Sequence, residues 1–319
     1  MFFTKKRIKT ACLRVVLLLL AVTLLFSSCA DVPAGKADTV EIEDALGRRV
    51  NVPLAPMRTA ALQGSLADVW LLSGGSLCAA ASDAWEDLSL PLGDAVSVGG
   101  AHSPSLEAIL ASDPDLVIAS AEVSAHVALE DALTRAGIAV LYFDIDCFED
   151  YLSALKTMTQ ITKREDLYRQ NGSTVQAKIN EQKEIYQNSS LAGQRILLLR
   201  VGAGKIKAKG SDGTVLGEML ADLGCVNIAD TSGSLLEALS AEAVLADEPY
   251  RIFVVSMGAS ADAARDSLES MFAENPAWGS LSAVREGRIH LMEKTLFHLK
   301  PNVRWGEAYE ILVQTLMGE

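Results

Sequence analysis

The sequence predicts an α/β protein made of two similar halves joined by a long helix, and three observations carry that prediction. A short pattern occurs twice, as Glu107-Ala-Ile-Leu-Ala-Ser-Asp-Pro114-Asp-Leu-Val-Ile-Ala-Ser120 and as Glu242-Ala-Val-Leu-Ala-Asp-Glu-Pro249-Tyr-Arg-Ile-Phe-Val-Val255. In both copies Glu is followed by Ala and two aliphatics, then by Pro seven residues on, then by an apolar strand-like run. Between the copies lies a polar stretch from Asp146 to Asn188 with no Pro and a single Gly. On either side of it strands alternate with helices, the pattern of a mostly parallel sheet covered on both faces. The 319 residues leave room for two lobes of about 110–130 residues, each able to bury its own core. The boundaries read as 40–147 for the first lobe, 148–193 for the bridge and 194–319 for the second lobe.

Taken in order, Lys5, Lys6, Arg7, Lys9 and Arg14 form a basic stretch without an acid, followed by an apolar run from Val15 to Phe26. That run is too short for a comfortable membrane span and reads as a signal peptide over 1–28. It ends Leu24-Leu25-Phe26-Ser27-Ser28-Cys29, which resembles a bacterial lipobox, so Cys29 is expected to carry lipid. Residues 29–39 are small and polar and suit a tether. Val40 to Val52 alternates about Gly47 as a β-hairpin. Strands follow at Thr59–Gln63, Leu77–Ala81, Val96–Val98, Asp115–Ala119 and Ala139–Phe143. Helices fall at Ser65–Leu72, after an N-cap at Ser105, and at Ser124–Arg135, and Ser82–Asp87 reads as a loop.

In the bridge, Asp146 with Glu149 and Thr162 with Glu165 fit capping boxes. The second helix could run about 25 residues, roughly 37 Å at 1.5 Å per residue, more than one small lobe needs. Its thin apolar stripe and charged faces suit a helix lying across two lobes. With no hinge residue beyond Gly172, small lobe motion is expected. The strand–helix plan then recurs. Strands are expected at Arg195–Val201, Ile252–Ser256 and Arg288–Met292, and Lys205–Lys209 reads as a small hairpin or loop. Helices are expected at Thr214–Leu223, around Glu242, at Ala261–Ala273 and at Arg304–Met317.

Composition excludes several function classes. The formal net charge of −13 deepens to −18 once the five basic leader residues are removed, which argues against nucleic acid or anionic lipid as a binding surface. Cys78, Cys147 and Cys225 are widely spaced and odd in number, neither a disulfide framework nor a zinc pattern, although one disulfide among them remains open. Gly202-Ala-Gly204 follows a strand, but Lys207 breaks the dinucleotide fingerprint. Gly204-Lys205 lacks the upstream Gly of a phosphate-binding loop, because position 199 is Leu. With no nucleophile-elbow, zinc-protease or Cys-x-x-Cys motif, a non-enzyme is expected, needing no cofactor.

Several motifs then occur together: the lipobox, the hairpin, and the cassette Ser105-Leu-Glu107 to Asp113-Pro-Asp-Leu-Val-Ile118 with its echo. The long bridge and the ending Asn275-Pro-Ala-Trp278 to Val284-Arg-Glu-Gly287-Arg-Ile-His290 complete the set. Together they resemble the substrate-binding lipoproteins of ABC importers for iron–siderophore, haem and cobalamin, across nearly all of residues 40–319. The resemblance implies two Rossmann-like lobes bridged by a single long α-helix, with a ligand cleft between them. It implies a monomer, anchored outside a bacterial membrane, that hands a small metal chelate to a permease dimer with ATPase subunits. It also implies that Glu107 and Glu242 dock on that permease. Two carboxylates on matched lobes would offer similar contacts to a two-fold symmetric partner.

Ligands of open α/β folds sit beyond the carboxyl ends of strands. That rule selects Ser65, Trp85, His102 and Arg200, with Lys207, His298, Lys300 and Arg304 from nearby loops, as ligand-binding candidates. The cations suit a ligand with carboxylates or phosphates, and Trp85 and Phe297 offer flat apolar faces. Trp278 and Trp305 read as core anchors. A bare transition-metal ion is the alternative ligand, if His102, His298 and an acid such as Asp144 converge. A non-transport surface sensor is the other alternative.

Overall fold

The computed structural model describes residues 38–202, 205–258 and 260–318. The expected signal peptide, Cys29 and nearly all of the tether lie outside them. The first lobe opens with the hairpin β1 (Thr39–Glu43) and β2 (Arg49–Pro53), paired antiparallel and turning at Gly47 with φ +72°. Alternation buries Ile42 and Val52 on one face. Then come β3 (Thr59–Ala61), β4 (Ala79–Ala80), β5 (Val96–Ser97), β6 (Gly99–Gly100), β7 (Ser103–Pro104), β8 (Leu116–Ser120) and β9 (Ala139–Phe143). The main sheet has the order β5-β4-β3-β8-β9, parallel throughout. All five residues of β8 are buried, as expected for a central parallel strand covered on both faces.

The second lobe is built on β10 (Arg195–Gly202), β11 (Lys205–Lys209), β12 (Val226–Asn227), β13 (Arg251–Ser256) and β14 (Ile289–Met292). Its order is β11-β10-β13-β14, with β12 beside β10 and only β11 antiparallel. The sequence echo is a structural repeat. Ser105 and Ser240 each cap a short helix by accepting the amide N–H three residues on. Each helix carries its Glu in the first turn, and each is followed by a left-handed residue before Pro, Asp113 (φ +47°) and Glu248 (φ +41°). The chain then enters the central strand, β8 or β13.

The bridge departs from expectation in detail. It is two helical rods, Phe148–Thr162 and Glu165–Gln187, broken where Lys163 turns left-handed at φ +59°. The first cap is Cys147 with Asp150, one residue beyond the expected box, because Asp150 accepts both the Asp146 and Cys147 amides. Thr162 makes no box with Glu165, since its hydroxyl donates to the Ser73 carbonyl at 2.6 Å. The second rod is α-helical except for a π segment, Arg169–Ser173, around Gly172. That distortion frees the Asn171 carbonyl to accept from the Tyr151 hydroxyl at 2.9 Å, while the Asn171 amide donates to Leu72. One end of the rod is thereby tied to the first lobe. At the other end Lys183 pairs with Asp222, and the Tyr186 hydroxyl sits 3.4 Å from the Cys225 sulfur. The final helix, Trp305–Met317, lies along it, with Lys178 paired to Glu310 at 2.7 Å.

Other departures are local. Ser82–Asp87 is not a loop but contains a helical turn, Asp83–Glu86. The expected helix Ser124–Arg135 is split into Ser124–Val127 and Glu130–Arg135. The split follows His126, whose buried ring accepts from the Ser120 amide and reaches the Ala101 carbonyl at 2.7 Å. Cys78, Cys147 and Cys225 are free thiols. No helix among the described residues is long and apolar enough to cross a membrane.

One apolar core runs through both lobes and the bridge, from Val52, Leu66 and Trp70 through Phe148 and Tyr151 to Leu198, Phe253 and Leu312. Trp305, fully buried, stacks edge-on to Phe148 at 6.1 Å and so fastens the final helix to the bridge. Just before it, Asn302 adopts φ +52° and donates to the Ser65 carbonyl at 2.9 Å and to Asp68 at 2.8 Å. Asn accepts this backbone region more readily than Ala. Asn302→Ala is therefore expected to cost about 2–4 kcal/mol, the sum of backbone strain and two buried groups left without their donor. A chemical-denaturation midpoint equal to that of the unchanged protein would refute this assignment.

Candidate functional site

The carboxyl ends of β4, β8, β9, β10 and β14 bring loops of the two lobes face to face. On the second lobe, Arg200 leaves β10 half-buried, and its buried Nε has no hydrogen-bond partner among the described residues. Burial lowers its pKa. His298 follows the helical turn Lys294–Phe297 that succeeds β14. Burial, followed by the positive charges of Arg200, Lys294 and Lys300, pushes its pKa down to about 4. Arg200, His298, Lys294 and Lys300 thus share one electrostatic neighbourhood, extended along β11 by Lys209. The pKa of Lys209 is lowered by burial and then by Arg200 and Lys207.

The first lobe answers with carboxylates. Lys294 pairs with Asp87 at 2.7 Å and Lys300 with Asp146 at 2.8 Å, so two ion pairs cross between the lobes. Glu122 lies 4.0 Å from Lys300. Carboxylate oxygens of Glu122, Asp144 and Asp146 all lie within 4.8 Å of one another. The pKa values of Glu122 and Asp144 are raised, in both cases first by burial.

Of the residues expected from sequence, Arg200, His298 and Lys300 are brought together, with Lys207 exposed on the adjacent strand. The others sit apart or are committed elsewhere. Ser65 is buried at the start of Gly64–Leu72, its carbonyl taken by Asn302. Trp85 packs partly buried against the cluster of Ala61, Ala67, Ala80, Ala84 and Leu92, within the turn that precedes Asp87. His102 is exposed in the turn between β6 and β7. Arg304 is exposed and clasps Glu307 at 2.7 and 2.9 Å.

Phe297 is a correction. It is 2 % exposed and belongs to the core, because the turn it ends packs inward on the final helix. The proposed convergence of His102, His298 and Asp144 is also corrected. Among the described residues only Glu122, Asp144 and Asp146 form such a group, with no imidazole and with Lys300 beside them. Lys294, Asp87, Glu122 and Asp146 were missed. Lys294 lies just beyond the carboxyl end of β14, the place to which the strand-end rule points. A groove of about 630 Å³ beside edge strand β14 is lined by Leu268, Phe272, His290 and Phe297, and by none of the cleft cations.

Because its folded pKa lies below the ordinary value of 6.5, His298 contributes stability that is present above pH 6.5. That contribution is lost as pH falls from 6.5 towards 4. His290 behaves alike, its pKa lowered to about 4 by burial and then by Arg251. Melting temperature is expected to fall across that window, and His298→Gln is expected to flatten the slope. A variant whose pH profile is parallel to that of the parent would contradict the placement of His298.

Comparison with known proteins places this geometry. A profile of the family described as periplasmic binding protein matches residues 60–296. The chain is 24% identical over 316 residues to "Putative ABC transporter substrate-binding lipoprotein YhfQ" of Bacillus subtilis (strain 168), covering 94% of this chain and 95% of that one. Staphylococcus aureus SirA, solved in complex with staphyloferrin B, aligns with a TM-score of 0.69 at 20% identity, over 88% of this chain and 99% of that chain. A periplasmic haem-binding protein from Pseudomonas aeruginosa aligns with a TM-score of 0.66 at 23% identity, over 83% and 94%.

Proposed function

The chain belongs to the periplasmic binding protein family, and from that premise we propose that it is the substrate-binding component of an ABC importer and captures a metal chelate between its lobes. The observation that carries the ligand reading is the group Arg200, Lys294, His298 and Lys300 at strand ends facing the other lobe. In a chain of formal charge −13, a local cluster of cations supports a ligand with carboxylate, catecholate or propionate oxygens. Arg200 supplies a half-buried fork for one such group. His298, neutral at physiological pH, supplies a hydrogen bond without added charge.

In this reading lipid on Cys29 holds the protein at the outer face of a bacterial membrane. The first-turn acids Glu107 and Glu242, both exposed, dock on the permease, and the partner's ATPase subunits use the ATP. The protein acts as a monomer, needs no cofactor and makes no contact with nucleic acid. Lobe motion is modest, since the shared core and the second rod both span the lobes. Matching small-angle scattering curves for free and loaded protein are expected, and marked compaction on loading would refute the strut role.

The test of function is calorimetric titration with ferric siderophores, haem, cobalamin and zinc. Sub-micromolar binding of a chelate supports the proposal. Binding of zinc alone would replace it with the bare-ion reading.

A further inference from the structure

Resting on that reading of the cleft, we propose that its ligand carries separated charges, with an anionic part against Arg200 and Lys209 of the second lobe and a protonated amine against Glu122 and Asp144 of the first.

Cross-lobe ion pairs leave a specific remainder. Lys294 is matched by Asp87 and Lys300 by Asp146. Among the described residues Arg200, Lys207 and Lys209 of the second-lobe wall make no ion pair and the buried Arg200 Nε has no hydrogen-bond partner. On the first-lobe wall Asp144 is exposed and makes no ion pair among the described residues, while Glu122 reaches Lys300 only at 4.0 Å. One ammonium therefore serves three carboxylates whose oxygens lie within 4.8 Å of one another.

Burial is the main cause that raises the pKa values of Glu122 and Asp144, with the neighbouring carboxylates raising them and Lys300 lowering them. Such uncompensated charge on a cleft wall costs stability unless a partner supplies the opposite sign. A ligand with charge of one sign only meets one wall and leaves the opposite wall unmatched, so each sign adds its own contact. With both ion pairs left in place, one added cation and one added anion each offset part of the unmatched charge on the wall they meet. No rearrangement of Lys294, Lys300, Asp87 or Asp146 is then needed.

The experiment uses ferrioxamine B, a trishydroxamate complex with a pendant ammonium, and its N-acetyl and N-succinyl derivatives, which replace that charge by none and by a carboxylate. Ferric enterobactin and haemin complete the set, and affinities are measured by fluorescence quenching. Both charged derivatives are expected to bind about tenfold more tightly than the acetylated one, the scale of one charge-assisted contact. The ammonium advantage is expected to vanish in Glu122→Gln/Asp144→Asn and to persist in Arg200→Gln, and the carboxylate advantage to do the reverse. An advantage for the carboxylate alone, or an ammonium advantage that survives Glu122→Gln/Asp144→Asn, overturns the inference while leaving chelate capture in place. Tight binding of ferric enterobactin or haemin without binding of any ferrioxamine has the same consequence. Failure of these five chelates and of cobalamin to bind removes the chelate reading itself, and this inference with it.

Discussion

Arg200→Gln is expected to weaken capture of an anionic ferric chelate by about 10- to 100-fold, the range of a charge-assisted contact in a partly desolvated site. The side chain is half-buried, and burial has already lowered its pKa. Its buried Nε has no protein partner among the described residues. The energy given up in desolvating that group is recovered only when a ligand oxygen arrives. Arg200→Lys should retain charge but lose the planar fork, giving an intermediate affinity. The melting temperature of Arg200→Gln should not fall, since the variant removes a desolvated charge that stabilises nothing in the free protein. An affinity within twofold of the parent, in calorimetry with a bound chelate, would remove Arg200 from the site.

The second large effect concerns transport. Glu107→Ala combined with Glu242→Ala is expected to reduce chelate uptake in cells to near background while leaving chelate affinity of the purified protein within about twofold. The two carboxylates occupy the same place in the two copies of one structural unit, each in the first turn of a Ser-capped helix. Ser240 donates to Glu242 at 2.9 Å and holds it ionised, its pKa lowered by its own backbone amide and then by that hydroxyl. Truncating one partner of a charge pair that docking buries raises the off-rate and weakens the complex. Two such losses exceed what transient docking tolerates, whereas each single variant should retain part of the uptake. Both acids are exposed in a first helical turn, so loss of their helix-dipole contribution is too small to unfold the protein. Normal uptake by the double variant would sink the docking role.

Some of the architecture was legible because it is written in local chemistry. The two Glu-to-Pro cassettes share a helix N-cap, a short helix, a left-handed stop and a buried strand, and each of these depends on residues within a few positions of one another. The hairpin at Gly47 and the alternation of strand and helix are local in the same sense. The break near Lys163 was legible as the start of a second helix at Thr162, but its cause was not. Thr162 looks like a cap until Ser73 lies above it, and only tertiary packing supplies Ser73. The burial of Phe297 is similar, because a lone aromatic in a loop gives no sign of which side the core lies on.

The cleft divides along the same line. Arg200, His298 and Lys300 follow from reading strand ends, since a parallel strand delivers the residues at its carboxyl end to one edge of the sheet. Asp87 and Lys294 are more than two hundred positions apart in the chain, and so are Asn302 and Asp68. No periodicity or motif links such partners. Sequence alone thus determined two repeated α/β lobes, a helical bridge and an acidic body with cations at strand ends, because these rest on short-range propensity and on composition. Tertiary structure alone decided which cations are matched across the lobes, whether Phe297 is core, and what stops the first rod of the bridge. Those outcomes depend on distances between segments that only the folded chain brings together.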